Sequence, residues 1–209
     1  MSCVSFPAES LSPQPGDSLY LDSSFVLSGL ALHPNCADLL RAFAGHSMYV
    51  SPVVWAEAVH VLVRTYIAGD LKKLMAGEAE ELVHPVAAPE LMSLWMRGKA
   101  GEGLLNIKRA SHEAIKSPFT QLRALVIPYQ QSATGALEHF LETSGVSLLP
   151  IGPEALKGAK TICEIAPCDT NDALHLALAL TSGCSYAVTK DADWGRVPPA
   201  LRPVVLQVA

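Results

Sequence analysis

Short apolar segments alternate along this chain with longer segments of helical apolar spacing, and this alternation constrains the fold more than any other feature. Five short runs read as strands because each is rich in apolar residues and bounded by polar residues, Gly or Pro. They are SLYL (18–21), SMYVS (47–51), VSLLPI (146–151), CSYAVT (184–189) and PVVLQV (203–208). Strands that alternate with helices favour parallel pairing. We therefore predict an α/β fold of three layers, with helices on both sides of a central, mainly parallel sheet.

The helical segments indicate the domain organisation that we expect. Pro52 suits the first position of a helix that runs to Gly69, and a later amphipathic helix follows Pro118. Three prolines near the first residue favour a flexible tail. We predict a tail over residues 1–17, followed by a single domain over 18–209 that carries a helical insertion at about 70–145.

The composition limits the classes of protein to which the chain can belong. Half of the residues are hydrophobic and 17% are charged, which supplies enough apolar material for a buried core. A net charge of −5 gives no global attraction to nucleic acid or to an anionic membrane. Five cysteines without a CxxC pair fit neither a disulfide framework nor a structural zinc site. With no signal-peptide pattern and no long apolar run, we expect a cytoplasmic protein that does not enter the membrane.

Acidic residues follow the predicted strands at the ends that meet on one edge of a parallel sheet. Asp22 follows the first strand, Glu57 lies early in the helix after the second, and Asp172 lies in the first turn of a later helix. Asp191 and Asp193 come directly after CSYAVT. Ligands of open parallel sheets collect at this edge. Four separate segments therefore bring carboxylates toward the same rim.

A group of carboxylates at one rim requires a positive counterpart, because clustered acids repel one another and raise one another's pKa values. A hard divalent cation with oxygen ligands, such as Mg²⁺, is the natural counterpart. Such a site can activate a water molecule and stabilise the leaving oxygen of a phosphodiester. The sequence therefore predicts a divalent-cation site at the carboxyl edge of the sheet.

Four stretches of the chain resemble the motifs of the PIN-domain nucleases in order and spacing: LYLDSSFVL, VSPVVWAEAVHVL, CDTNDALHLALAL and YAVTKDADW. The resemblance covers roughly residues 18–69 and 146–208 and is strongest for the VapC-type toxins of bacterial toxin–antitoxin pairs. It implies a PIN-like (Rossmann-like) fold. It also implies that the catalytic and metal-binding acids are Asp22, Glu57, Asp172 and Asp191, with Asp193 as an accessory metal ligand and with Ser23 and Thr189 as polar neighbours.

The resemblance implies an activity and partners as well. The family's activity is endonucleolytic cleavage of RNA that depends on Mg²⁺ or Mn²⁺. Toxin members are held inactive by a small antitoxin and commonly form homodimers. We therefore expect an RNA substrate, a cognate antitoxin protein and a homodimer, and the attacking water would need no Ser, Cys or His nucleophile.

The segment between Glu57 and Asp172 departs from this resemblance, because its 114 residues exceed what a compact toxin of the family needs. Within residues 97–123, six Lys or Arg residues stand against two Glu residues. One interpretation is an RNA-binding flap, since phosphate binding rests on local Lys and Arg. The other is a solvated helix face. The candidate substrate-binding residues are Ser23, Thr189, Lys190, Lys108 and Arg109.

Three alternatives stay open at this stage. Asp172 could simply favour the helix dipole, with Asp169 or Thr170 as the N-cap. Glu57-x-x-His60 and Asp172-x-x-His175 share the spacing of di-iron bundles. However, the predicted strands offer no four-helix bundle, and a histidine within an apolar run is more typical of core packing. The third alternative is a catalytically silent PIN-like module that binds RNA or protein.

Overall fold

The computed structural model describes residues 3–6, 13–89, 91–92, 120–166 and 168–208. The chain divides into two compact units according to its contacts between Cα atoms. Unit 1 comprises residues 1–58 and 137–209, and unit 2 comprises residues 59–136. Unit 2 overlaps the helical insertion that the sequence predicts at about 70–145.

One sheet contains every strand of the described residues. The strands are β1 (Cys3–Phe6), β2 (Ser18–Leu21), β3 (Ser47–Val50), β4 (Val146–Leu148), β5 (Tyr186–Thr189) and β6 (Val204–Val208). Their order is β1-β6-β5-β2-β3-β4, and all five neighbouring pairs are parallel. The predicted α/β class with a mainly parallel sheet is therefore confirmed.

Strand β1 lies within the segment that the sequence predicts as a flexible tail, so the prediction missed this strand. It pairs with the last strand of the chain, with Cys3 opposite Val205 and Phe6 opposite Val208. A run of four residues carries little local strand preference. Its conformation depends on hydrogen bonds to a strand about two hundred residues away in the sequence, and short-range patterns do not reveal such a partner.

Six long helices accompany the sheet in the described residues. They are α1 (Ser23–Leu30), α2 (Pro34–Ala42), α3 (Pro52–Ala76), α4 (Thr120–Thr143), α5 (Pro153–Ile165) and α6 (Thr170–Thr181). Helices α2, α3 and α5 begin at a proline, which lacks the N–H that a first-turn residue would leave unpaired. Helix α3 continues through Gly69, where the sequence predicts its end, because a helical glycine costs only about 1 kcal/mol. Residues 90 and 93–119 of the predicted helical insertion lie outside the described residues.

The core of unit 1 is centred on β2, which has β3 on one side and β5 on the other. Leu19, Tyr20 and Leu21 are fully buried, as expected for a central parallel strand that is covered on both faces. Helix α6 also contributes an apolar face, and α5 packs closely against it. A Cβ added at Gly158 of α5 would lie 3.2 Å from the Cβ of Ala177, so a small residue permits this approach.

Unit 2 has its own apolar cluster. Its buried members are Val63, Ile67, Leu71, Ala87, Leu91, Val126, Tyr129 and Ala133. Among the described helices of the chain, none combines the length and the hydropathy that a membrane span requires.

The topology of the sheet fixes where a ligand can bind in unit 1. From β2 the chain first adds β3 and β4 on one side, and it later adds β5 and β6 on the other. The direction of strand addition therefore changes between β2 and β5, and ligand crevices of parallel sheets lie beyond the carboxyl ends of the strands at this point. Leu21 is opposite Val188 in the register, so Asp22, directly after β2, lies beside Thr189, the last residue of β5.

Candidate functional site

Asp22 lies at the carboxyl end of β2 and is only 6% exposed. It is the N-cap of α1, and its Oδ1 accepts a hydrogen bond from the Ser23 backbone N–H at 2.6 Å. Its Oδ2 accepts from the hydroxyls of Ser24 at 2.6 Å and Thr189 at 2.8 Å. Both carboxylate oxygens are therefore held in place by donors of α1 and β5.

Thr189 connects Asp22 with the loop that follows β5. Its hydroxyl is buried and accepts a hydrogen bond from the backbone N–H of Asp191 at 2.9 Å. The backbone N–H of Lys190 donates to the Ser24 hydroxyl at 3.0 Å, which ties the same loop to the start of α1. The predicted polar neighbours Ser23 and Thr189 thus lie directly against Asp22.

Glu57 extends from α3, and each of its carboxylate oxygens has a partner on α6. Asn171 Nδ2 donates to Oε1 at 2.6 Å, and His175 Nε2 lies 3.2 Å from Oε2. The hydrogen bond from His175 lowers the pKa of Glu57 and outweighs burial, which acts in the opposite direction. Glu57 therefore keeps its negative charge in this position.

His175 is 1% exposed, and both of its ring nitrogens have partners. Its Nδ1 lies 2.8 Å from the Tyr20 hydroxyl, which in turn lies 2.8 Å from Ser51 Oγ. The imidazole also stacks on the indole of Trp194, with ring centroids 5.8 Å apart. Burial raises the pKa of Tyr20, so its hydroxyl remains protonated. A continuous series of side chains thus links Ser51 to Glu57 through Tyr20 and His175.

Asp172 lies in the first turn of α6 but does not cap the helix. Its backbone N–H donates to Asp169 Oδ1 at 2.8 Å, so Asp169 is the N-cap. The carboxylate of Asp172 instead accepts a hydrogen bond from Trp194 Nε1 at 2.8 Å. Burial raises the pKa of Asp172, and the nearby charges of Asp169, Asp191 and Asp22 raise it further. Asp172 therefore shares an electrostatic environment with the other acids of the rim.

Asp191 and Asp193 are exposed in the loop after β5. Asp191 Oδ1 accepts a hydrogen bond from the backbone N–H of Asp193 at 2.8 Å. The carboxylate of Asp193 forms a salt bridge of 2.8 Å with Arg196, which leaves it paired with a cation of its own loop.

The structure brings only part of the predicted acidic set into close contact. Among the described residues, one group of His and acidic side chains has its ligand atoms all within 4.8 Å of one another, and it consists of Asp22, Glu57 and His175. Asp172 and Asp191 are outside that group. In the same part of the chain, no Lys or Arg forms a salt bridge with Asp22, Asp172 or Asp191.

Most of the stretch that could form an RNA-binding flap, residues 97–119, lies outside the described residues. This applies to Lys108 and Arg109, which are the candidate RNA-binding residues of the insertion, and the side chains of the whole basic stretch 97–123 are likewise not described.

The sequence prediction missed four residues that surround the acids: Asn171, His175, Tyr20 and Trp194. His175 was interpreted as a packed histidine, and it is indeed buried, but it also contacts Glu57. One signal was present in the sequence. Asn171 and His175 are four residues apart on a helix, and this spacing places two polar side chains on one face.

Comparisons with known proteins bear on this arrangement. Residues 108–199 match the family model described as PIN domain, and this segment contains Asp172, Asp191 and Asp193. One solved structure that aligns with the chain is that of VapBC2 from Rickettsia felis bound to a DNA fragment from their promoter. The TM-score is 0.48 at 12% sequence identity, and the alignment covers 92% of this chain and 97% of that chain. No curated protein matches the sequence significantly.

Proposed function

We propose that the chain, whose residues 108–199 match the PIN domain family model, is a VapC-like endoribonuclease that depends on Mg²⁺ or Mn²⁺. One observation carries the proposal. Asp22 and Glu57, from two different segments, meet at the carboxyl edge of the sheet with ligand atoms within 4.8 Å of each other. Asp22 is buried, and among the described residues no Lys or Arg pairs with it.

The donor set fits a hard divalent cation. Asp22, Glu57, Asp172 and Asp191 offer carboxylate oxygens, which Mg²⁺ and Mn²⁺ prefer. Burial raises the pKa of Asp172, the charges of its acidic neighbours raise it further, and a bound cation would relieve that repulsion. Asp193 is the weakest candidate of the predicted set because Arg196 already neutralises its charge.

The chain's own residues supply the positioning that hydrolysis requires. The hydroxyls of Ser24 and Thr189 hold Asp22, and Asn171 and His175 hold Glu57. When bound, the divalent cation supplies a lowered pKa for water and charge neutralisation for the phosphodiester. A carboxylate of the rim accepts the proton that the attacking water loses. The water attacks phosphorus directly, and the ribose oxygen leaves on the opposite side.

Substrate binding needs positive charge that the rim does not provide. The net charge of −5 makes the chain repel RNA as a whole, so local cations must bind the phosphates. We assign this role to Lys108, Arg109 and Lys190, with Ser23 and Thr189 as polar neighbours of the scissile group. By resemblance to VapC-type toxins, we also propose a small antitoxin partner, a homodimeric state and a location in the cytoplasm.

The test is cleavage of several classes of RNA by purified full-length protein, with Mn²⁺, with Mg²⁺ or with EDTA. Asp22→Asn and Asp172→Asn remove one charge each at the rim and retain the shape of the side chain. Asp38→Asn is the matched control, because Asp38 is an exposed acid that pairs with Arg41 on α2. We expect cleavage that requires the cation, persists in Asp38→Asn and is lost in both rim variants.

Two outcomes would contradict the proposal. Cleavage that is equal in the rim variants and in wild type would indicate a contaminant or a different site. Absence of cleavage together with absence of Mn²⁺ binding would favour the catalytically silent module that binds RNA or protein.

A further inference from the structure

Two side chains of a different helix contact the carboxylate of Glu57. Without such contacts, a partly exposed glutamate could adopt several side-chain conformations, because it has three rotatable bonds. Asn171 Nδ2 donates to Oε1 at 2.6 Å, and His175 Nε2 faces Oε2 at 3.2 Å. Asn171 and His175 are one helical turn apart on α6, so both project from the same face. Each carboxylate oxygen thus has a partner on α6, and the two contacts together fix the orientation of the group as well as its location.

His175 is itself held by contacts on Nδ1 and on one ring face, so it can hold the Glu57 carboxylate in one position. The Tyr20 hydroxyl lies 2.8 Å from Nδ1 of His175, and the stacked indole of Trp194 covers one face of the imidazole. A carboxylate can only accept, so the contact with Glu57 places a proton on Nε2. With a proton on Nε2 and a partner on Nδ1, neither ring nitrogen has a free lone pair to offer a cation.

We propose that Asn171 and His175 are positioning residues, together called the Glu57 clamp, which hold the Glu57 carboxylate in the orientation that binds the cation without binding the cation themselves. This inference rests on the proposed function, since it concerns the same site. Partners of this kind orient metal ligands in many proteins, and their removal typically weakens metal affinity by about 10–100-fold.

The clamp can be tested through Mn²⁺ affinity, measured from the electron paramagnetic resonance signal of free Mn²⁺ during titration of full-length protein. His175→Leu removes the donor, and we expect it to weaken Mn²⁺ binding about 10–100-fold. His175→Gln restores an N–H donor toward Oε2, and we expect most of the affinity to return. A residue with only a packing role would show no such rescue, because Gln suits a buried apolar site no better than Leu.

Two further variants keep the test decisive. Asn171→Ala changes an exposed side chain, so it should fold even if a change at buried His175 does not, and it should also weaken Mn²⁺ binding. His84→Leu is the matched control, because this histidine of unit 2 hydrogen-bonds Ser132, and it should bind Mn²⁺ as wild type does.

A double-mutant cycle isolates the route through Glu57. In a Glu57→Gln background, His175→Leu should change Mn²⁺ affinity less than about 2-fold, because the residue on which the clamp acts has already lost its charge. An equal loss in both backgrounds would overturn the clamp and indicate a general structural role. Wild-type affinity in both His175→Leu and Asn171→Ala would overturn it as well.

Two further outcomes distinguish the Glu57 clamp from direct binding of the cation by His175 and from failure of the proposed function. Pulsed resonance of bound Mn²⁺ in protein with ¹⁵N-labelled histidine should contain no coupling from a directly bound nitrogen. A strong coupling that His175→Gln abolishes would overturn the clamp and make His175 a ligand. Absence of Mn²⁺ binding by wild type would overturn the proposed function and the clamp together, whereas failure of the variants alone leaves the proposed function standing.

Discussion

The indole N–H of Trp194 donates a hydrogen bond to the carboxylate of Asp172 at 2.8 Å, while the same ring stacks on His175. Trp194 is 1% exposed, so one buried side chain supports both sides of the acidic rim. It holds Asp172 directly, and it covers the histidine that contacts Glu57. Trp194 therefore helps to position two acids on different helices: Asp172 of α6 directly, and Glu57 of α3 through His175.

Replacement of Trp194 by Phe separates these two roles. Phe can retain much of the stacking on His175 but lacks the N–H that Asp172 accepts, and a hydrogen bond to a charged group contributes about 1.5–3 kcal/mol. We expect Trp194→Phe to lower the free energy of unfolding by about this amount at pH 7 and to weaken Mn²⁺ binding. Urea denaturation and Mn²⁺ titration measure the two effects. Trp55→Phe, at a partly exposed tryptophan of α3, is the control and should leave Mn²⁺ affinity unchanged.

Asp172→Asn should stabilise the metal-free protein at pH 7. The pKa of Asp172 is raised by burial and by three neighbouring acids, so the ionised form is less favourable in the folded state than in the unfolded state. The protonated carboxyl group of Asp172 therefore contributes to the free energy of unfolding. This contribution is fully present below the ordinary pKa of 3.8 and is lost as the pH rises through the raised pKa of the folded protein. Removing the charge should add about 0.5–2 kcal/mol at pH 7, as is common for functional acids.

The pH dependence checks this explanation of the Asp172 variant. Urea denaturation in EDTA should give a difference from wild type at pH 7 that shrinks toward zero below about pH 3.8, where both side chains are neutral. A gain that is the same at both pH values would contradict the electrostatic cause. Saturating Mn²⁺ should reverse the order at pH 7, because only wild type retains the full carboxylate set.

Thr189→Val should impair the site while leaving the strand intact. Val has the same shape as Thr, but it cannot donate to Asp22 or accept from the Asp191 backbone. We expect Mn²⁺ affinity and RNA cleavage to fall by about 10-fold or more, as for other supports of metal ligands. Thr189→Ser keeps the hydroxyl and should remain near wild type in the same assays. Equal losses in the two variants would indicate that packing of the methyl group matters more than the hydrogen bonds.

The part of this structure that sequence could predict is the part governed by local pattern. SLYL is a continuous apolar run that ends at Asp22, and such runs form central parallel strands. Pro52 marks the start of α3 because a proline suits the first helical position. Once the strands are parallel, their carboxyl ends share an edge, so the sequence alone predicts that Asp22 and Glu57 lie near each other.

The contacts that sequence did not predict join residues far apart in the chain. Tyr20 and His175 are 155 positions apart, and Glu57 and His175 are 118 positions apart. An isolated histidine in an apolar helix is compatible with packing alone, and only the opposite helix reveals that it contacts a carboxylate. The salt bridge between Asp193 and Arg196 could not be predicted from the sequence either, because an acid in a loop can face the rim or a residue of its own loop.

Asp70 in unit 2 provides a structural contrast to the acids of the rim. It is fully buried, and it accepts hydrogen bonds from the backbone N–H groups of Val83 and His84 at 2.8 and 3.0 Å and from the Tyr129 hydroxyl at 2.8 Å. These donors satisfy the buried carboxyl group, and no Lys or Arg of the described residues forms a salt bridge with it. The group joins α3 to the segment after it and to α4 within unit 2.

Asp70→Ala should therefore destabilise the protein more than any single donor removal. It leaves two backbone N–H groups and a hydroxyl without their acceptor, and we expect a loss of about 3–5 kcal/mol in the free energy of unfolding. Tyr129→Phe removes one donor and should cost about 1–2 kcal/mol. Urea denaturation ranks the variants, and hydrogen exchange should accelerate at the amides of Val83 and His84 in Asp70→Ala. Asp70→Ala and Tyr129→Phe could instead lower the free energy of unfolding equally, with the amides of Val83 and His84 still protected. The hydrogen bonds from the backbone to Asp70 would then contribute little to stability, and the one from Tyr129 would account for the role of Asp70.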